Sequence, residues 1–397
     1  MTEFRFARRS SVLGKSVFDH VPGTISLASG AAYPPLLPDV VREAAEAVGP
    51  LREEAMQYGP LMGLDDLREE ICRFVTGDGV QAQPENVLVT YGAKNALDLA
   101  CRVFVEPGDR VIVTRPSYMT AIHIMRMHNV QFVDVGQDRD GLSTDELEEQ
   151  LELFEANAEP MPKLLFDVPD FHNPTGITMS LTRRRRILEL ARRYNFVICE
   201  DDPYRRIRFD GEAVPPIKSL DTTGHVISLG TVSKTLAPGL RVGWAIGDAG
   251  VVRRMAMQKA DGGSNTFAQR IVVQLMRSNK ISRHVDELTE KMRNHRDAMV
   301  AALAEYMPEA RCRVPDGGYF LWVRLCECDD AEHVVELGIR GGVEATPGRL
   351  SFPSDDPGNC LRLAYSFVDE DQIRLGVAQL GKAYKSYRSY RSTTSPA

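Results

Sequence analysis

Lys234 lies in the stretch Ser228-Leu-Gly-Thr-Val-Ser-Lys-Thr-Leu-Ala-Pro-Gly-Leu-Arg241-Val-Gly-Trp244. A lysine among small hydroxyl residues, seven positions before an arginine in a Gly/Pro turn, has the parts needed to hold a covalent aldehyde cofactor. The amine would form a Schiff base, and Thr231, Ser233 and Arg241 would grip a phosphate. A lysine alone is ordinarily a solvated surface charge, so this reading depends on its company elsewhere in the chain.

Three other segments supply that company. Thr90-Tyr-Gly92-Ala93-Lys94-Asn95 follows a strand pattern and opens a helix pattern, so its backbone amides suit a phosphate at the positive helix end, with Lys94 adding a cation. Asp170-Phe-His-Asn173-Pro174-Thr-Gly176 is a turn by composition, and the Asn173 amide in it can donate to a phenolate oxygen. Glu200-Asp201-Asp202-Pro203-Tyr204 puts a carboxylate at a strand end, where it can stay ionised against a pyridinium nitrogen. Tyr204, three residues on, can hydrogen-bond the same phenolate. Each segment alone also reads as an ordinary turn or solvated acidic loop. Together they meet the demands of pyridoxal 5′-phosphate (PLP): a Schiff-base amine, a pyridinium partner, two phenolate donors and a phosphate cradle.

These residues need a scaffold that brings strand ends to one edge. From about residue 84 to 250, β-branched runs (Val87–Thr90, Arg110–Thr114, Gln131–Val135, Lys163–Val168, Phe196–Glu200, Val226–Leu229 and Gly243–Ile246) alternate with helical patterns. The helices are expected at Ala93–Val105, Tyr118–His128, Thr144–Glu155 and Thr182–Tyr194. The alternation predicts an α/β large domain with a mostly parallel seven-stranded sheet covered on both faces, and ligands in such sheets bind beyond the carboxyl ends of the strands. A helical connector at about 279–306 leads to a small α+β domain with strands at Tyr319–Arg324, near Val343 and at Leu361–Ala364, and helices at Ala331–Ile339 and Glu370–Tyr384. The expected divisions are an N-terminal arm and helix packing with the small domain (1–48), a large domain (49–290), a small domain (291–385) and a flexible tail (386–397).

Composition narrows the function classes. The 397 residues exceed one hydrophobic core. A net charge of −7 argues against nucleic-acid binding. No apolar run reaches the roughly 18 residues of a membrane span, and Met1–Arg9 has no signal-peptide character, so cytoplasmic residence is expected. Seven cysteines at scattered spacing read as reduced, and no metal site is expected. Arg183–Arg186 reads as the solvated start of a helix, and His172 as either facing the site or packing beside it.

With these motifs in this order, the chain resembles the aspartate-aminotransferase-like PLP enzymes (fold type I, class I/II), in the kynurenine/2-aminoadipate aminotransferase-like branch, from about Gly30 to Tyr384. The resemblance implies roles residue by residue. Lys234 is then the Schiff-base lysine and general acid/base, Asp201 pairs with the pyridine nitrogen, and Asn173 and Tyr204 bond the ring oxygen. Gly92, Thr231, Ser233, Arg241 and the amides of Ala93 and Lys94 surround the phosphate, and Tyr118, in Arg115-Pro-Ser-Tyr118, stacks on the ring. Arg362 matches the arginine that forks onto a substrate α-carboxylate, with Gly30 and Tyr33 also near the substrate. Tyr58 matches a tyrosine that reaches the neighbouring subunit's phosphate, which implies a homodimer with shared active sites. The chain departs from the family's usual Ser-Gln-Gln at Ala93-Lys94-Asn95, losing a hydroxyl and adding a charge. Its first segment, Ser29-Gly-Ala-Ala-Tyr33-Pro-Pro, also lacks the usual polar residue before its proline. Tyr319, in Gly317-Gly-Tyr-Phe-Leu-Trp, reads as a packing residue.

The resemblance implies an aminotransferase acting on an α-amino acid and a 2-oxo acid. The same residues would serve non-transaminating PLP chemistry of specialised metabolism, such as γ-elimination or γ-replacement on S-adenosylmethionine, cyclisation or amino-acid oxidation, because all begin at the same Cα carbanion. A third reading, the effector domain of a transcription regulator, fits poorly with the negative charge and with a PLP domain that starts so near the N-terminus.

Overall fold

Runs of valine, isoleucine and leucine too short for helices form the strands of one large sheet. The computed structural model describes residues 4–7, 20–260, 262–354 and 357–394. In chain order its first strands are β1 (Ile25–Ser26), β2 (Val87–Thr90), β3 (Arg110–Arg115), β4 (Gln131–Asp138), β5 (Gly141–Leu142), β6 (Leu164–Asp167), β7 (Val197–Asp201), β8 (Val226–Thr231) and β9 (Gly243–Ile246). The large sheet has the order β2-β9-β8-β7-β6-β3-β4-β5. From β4 through β3, β6 and β7 to β8 each pair is parallel, while β9 is antiparallel to both β8 and β2. Strands β2, β6, β8 and β9 are buried along their whole length, as expected of a sheet covered on both faces.

This topology decides where a ligand can sit. Because β9 is antiparallel to β2 and β8, the carboxyl ends of β2, β3, β6, β7 and β8 share one edge, and the amino end of β9 joins them. Thr90, Arg115, Asp167, Asp201 and Thr231 close those strands, and Gly243 opens β9. A Cβ on Gly243 would lie 2.5 Å from Cα of Gly92, so a glycine is needed for β9 to begin beside the turn after β2.

The remaining strands are β10 (Arg311–Cys312), β11 (Phe320–Arg324), β12 (Val343–Glu344), β13 (Thr346–Pro347) and β14 (Cys360–Ala364). They build an antiparallel sheet of order β10-β11-β14-β13, and β12 pairs in parallel with β1. The helix Lys280–Tyr306 joins the large sheet to this small domain and packs along the last helix, Glu370–Thr394.

All seven expected strands of the large sheet are present, with an eighth, β5, added at the edge. Its two residues, paired antiparallel to the end of β4, are too few to show a period. Two other expectations are corrected. The helix Val41–Val48 packs on the large-domain helix Thr266–Arg277 rather than on the small domain, because Val40 at its start and Ala44 within it join the apolar cluster around Ile271 and Val272. The arm before it does reach the small domain, through β1 and through Leu27, whose carbonyl accepts from the Ala364 amide at 2.7 Å. At the other end, the tail expected from Ser386 is helical to Thr394, and Tyr387 in it is buried, its hydroxyl accepting from the Asp330 amide. The parts of the arm at 1–3 and 8–19, and of the tail at 395–397, lie outside the described residues.

Candidate active site

At the shared strand edge a cavity of about 250 Å³ is lined by, among others, Lys94, Tyr118, Asn173, Asp201, Tyr204 and Lys234. They come from the carboxyl ends of five strands or the segments that follow them, Asp201 and Tyr204 both from β7, so the five parallel strands deliver the motifs to one place. Gly92, Ala93, Thr231, Ser233 and Arg241 line the same cavity.

Lys234 follows β8, and its Nζ donates to the Gly30 carbonyl at 2.7 Å. Burial, then the positive charges of Lys94 and Arg362, hold its ammonium down at about 8, with Asp201 pulling the other way. An amine near neutrality at working pH is equipped both to attack a carbonyl and to carry a proton.

Asp201 ends β7 and is only 6% exposed. Its Oδ1 is buried without a hydrogen-bond partner among the described residues. Burial, then repulsion from Asp202, push its carboxyl up to about 7, against the pull of Lys234 and Lys94. A carboxylate in that position is costly unless a cation or donor meets it. The protonated nitrogen of a pyridine ring supplies both, so the orphaned oxygen fits PLP.

A phosphate cradle lies on the far side of the cavity. Gly92 caps the helix Ala93–Phe104 at φ +103°, and Gly92, Ala93 and Lys94 line the cavity at the amino end of that helix. Thr231 Oγ1 donates to Ser233 Oγ at 2.9 Å, and the Ser233 amide donates back to Thr231 Oγ1 at 3.1 Å. Arg241, at φ +53°, donates to the Tyr91 carbonyl and sits over Gly92. Helix amides, two hydroxyls and a guanidinium form a donor set suited to a phosphate dianion.

Behind the lining residue Asn173, Arg362 on β14 is buried. Its Nη1 donates to Asn173 Oδ1 at 3.2 Å, and its Nη2 to the Ala28 carbonyl at 2.7 Å and Thr346 Oγ1 at 3.2 Å. Burial lowers its guanidinium to about 10, which leaves it cationic at neutral pH. Tyr204 packs edge-on against Tyr319 and Phe320, and burial raises its phenol so that the hydroxyl keeps its proton.

Residues 22–380 match the aminotransferase class I and II family. The chain belongs to that family. Transamination with PLP is the activity of the class. The aminotransferase is 36% identical over 367 residues to aromatic-amino-acid aminotransferase 1 of Thermococcus litoralis, covering 91% of this chain and 88% of the relative. It is 34% identical to the 2-aminoadipate transaminase of Thermus thermophilus over 92% of this chain and 91% of that one. Among solved structures, the kynurenine aminotransferase of Pyrococcus horikoshii, crystallised with PMP, superposes with a TM-score of 0.90 at 34% identity, covering 96% of this chain and 97% of that one.

Four residues singled out from the sequence, Gly30, Tyr33, Tyr58 and Arg362, do not line the aminotransferase's cavity; Arg362 touches it only through Asn173. Tyr58 is 85% exposed, on a loop beside Gly262. Tyr33 sets its ring edge-on to His295 at 4.9 Å. Gly30 takes part through its carbonyl alone.

Other residues of the aminotransferase carry more than their sequence context suggests. Arg184, read as part of a solvated patch, is fully buried and pairs with Asp170 at 3.0 Å, where Arg205 and Arg208 also converge. Its position in the helix Leu181–Tyr194 beside Ile187 and Leu188 was the available signal. His172 does not line the cavity. It is held between Thr114 Oγ1 and Thr175 Oγ1, each at 3.0 Å, and burial holds its imidazole down at about 3, so it is a neutral brace behind Asn173. Tyr319, expected only to pack, donates its hydroxyl to the Lys234 carbonyl at 2.7 Å.

Proposed function

We propose that this aminotransferase moves the amino group of a medium-to-large α-amino acid to a 2-oxo acid, with Lys234 as the covalent lysine. The observation that carries the reading is that Lys234 shares one cavity with a buried carboxylate, Asp201, whose Oδ1 has no hydrogen-bond partner among the described residues. The preference for medium-to-large donors is supported by relatives named for aromatic amino acids and 2-aminoadipate.

When bound, PLP supplies an electron sink for the bond broken at the substrate Cα. The chain supplies the rest. Asp201 holds a positive charge at the ring nitrogen. Asn173 and Tyr204 donate to the ring oxygen, and Tyr118 stacks on the ring. Thr231, Ser233, Arg241 and the amides of Ala93 and Lys94 hold the phosphate. Arg362 forks onto the substrate α-carboxylate, which fixes the Cα hydrogen with respect to Lys234. The Lys234 amine, held by the Gly30 carbonyl, would be the group that takes the proton from the substrate Cα. We assign Tyr58 to the partner subunit's phosphate in a homodimer. Its exposure on a loop beside the exposed Met56 supports that reading.

The test is a panel of amino donors with a 2-oxo acid acceptor. The expected result is equal amounts of new 2-oxo acid and new amino acid. Consumption of the donor with ammonia release, or turnover of S-adenosylmethionine alone, would replace transamination by one of the other Cα-carbanion reactions.

A further inference from the structure

We propose that Tyr319 is a positioning residue for Lys234, anchoring the main chain of the catalytic lysine to the small-domain strand β11. The inference rests on Lys234 being the covalent lysine.

The segment Gly317-Gly318-Tyr319 runs into the large domain just before β11. The Gly318 amide donates to the Ile207 carbonyl at 2.9 Å, and Tyr365 Oη donates to the Gly317 carbonyl at 3.1 Å. A Cβ on Gly317 would stand 2.3 Å from the Ile207 carbonyl oxygen, and one on Gly318, at φ +76°, 2.6 Å from Phe171 Cβ. Two glycines are therefore needed for this approach. Phe171 and Ile207 belong to the turns that carry Asn173 and Tyr204, so the segment is wedged between the two ring-oxygen donors.

Tyr319 extends the wedge to the lysine. Its side chain is fully buried, and its ring lies 5.6 Å from that of Tyr204 and 5.9 Å from Lys234 Nζ, centroid to centroid and centroid to atom. Its hydroxyl donates to Lys234 O at 2.7 Å. Lys234 lies in a turn after β8, outside any helix or strand, so its carbonyl has no place in a regular ladder. With that carbonyl pinned, Nζ moves by side-chain torsion alone, between the Gly30 carbonyl and the reacting carbon. Tyr319 is not among the residues that line the cavity, and its hydroxyl meets the main chain of Lys234. It acts through the lysine, and a phenylalanine would pack as well but could not hold the carbonyl.

The test is Tyr319→Phe in the holoenzyme, beside Tyr365→Phe as a control that removes a buried hydroxyl from the same segment without touching Lys234. Tyr319→Phe is expected to lower kcat by on the order of tenfold to a hundredfold, since small misplacements of a catalytic group have effects of that size. KM for the amino donor should stay near the wild-type value, because Arg362 is untouched. The Cα-deuterium isotope effect on kcat should rise, and the pH midpoint of the visible band of the lysine-bound cofactor should shift. Tyr365→Phe should change neither the isotope effect nor the midpoint. A wild-type kcat, isotope effect and midpoint in Tyr319→Phe would overturn the inference, as would the same changes in both variants. Failure of Lys234 to carry the cofactor, read separately by borohydride labelling, would instead remove the reading beneath it.

Discussion

Arg362 and Asn173, brought together from the small and large domains, share a hydrogen bond of 3.2 Å between Nη1 and Oδ1. The residue assigned to the substrate carboxylate thus touches the one assigned to the ring oxygen, so both partners are held at a fixed spacing before either ligand arrives. The same guanidinium is braced by Ala28 and Thr346, which leaves its orientation little freedom.

Arg362→Lys keeps the charge and loses the fork. For a buried pair the expected loss is about 2–5 kcal/mol in kcat/KM, carried mainly by a higher KM for the amino donor. Steady-state kinetics check it. Unchanged constants would make Arg362 a structural residue and remove the carboxylate from the recognition scheme.

Lys94 lies in the first turn of the helix Ala93–Phe104, with its Nζ 6.0 Å from the Tyr118 ring centroid. Lys94→Gln should raise the dissociation constant of PLP about tenfold, which corresponds to roughly 1.4 kcal/mol. It should also raise the pH at which Lys234 titrates, because a repelling charge is lost. Titration of cofactor-free protein, followed by absorbance at several pH values, checks both. Equal affinity and an unmoved midpoint would show that Lys94 serves neither group.

Asp201 gives a pH dependence with a definite sign. Its carboxyl ionises near 3.8 without perturbation but is pushed up to about 7 by burial in the cofactor-free fold. Between those values the folded state binds more protons than the unfolded one, so the group's contribution to stability falls as pH rises from about 3.8 to about 7 and stays low above that. Asp201→Asn removes the penalty. Cofactor-free Asp201→Asn should melt higher than cofactor-free wild type at pH 8, and the gap should close toward pH 4. The loaded variant should still lose most of its activity. A gap independent of pH would mean that the carboxyl is not held in this way.

Much of this was legible in the sequence. The strands of the large sheet announced themselves by short β-branched runs, and the strand ends and the turns after them carried Asp201, Asn173 and Lys234 in recognisable company. What stayed hidden depended on tertiary placement. Arg184 looked like one of four solvated arginines until a fold put Asp170 opposite it. Tyr319 showed only an aromatic in a strand, because its partner is a main-chain carbonyl 85 residues away. The helices Ala249–Met257 and Thr266–Arg277 were not separated from their surroundings, although Asp248 and Asn265 cap them with side-chain hydrogen bonds. A two-residue strand such as β5 has no period to read.

The shared-site dimer is tested by complementation. Subunits inactivated by Lys234→Ala are mixed with subunits altered at Tyr58. A heterodimer collects both lesions in one site and leaves the other intact, so activity above either parent is expected after subunit exchange. An active monomer in sedimentation, or no recovery despite proven exchange, would contradict the assignment of Tyr58.

The most direct measurement is borohydride reduction of the PLP-loaded protein, followed by proteolysis and mass mapping, in the wild type and in Lys234→Ala. One reduced label is expected, on Lys234, with a Lys234→Ala protein that still binds the cofactor noncovalently but does not turn over. A label on Lys94 or any other lysine, or near-normal activity in Lys234→Ala, would contradict Lys234 as the covalent lysine.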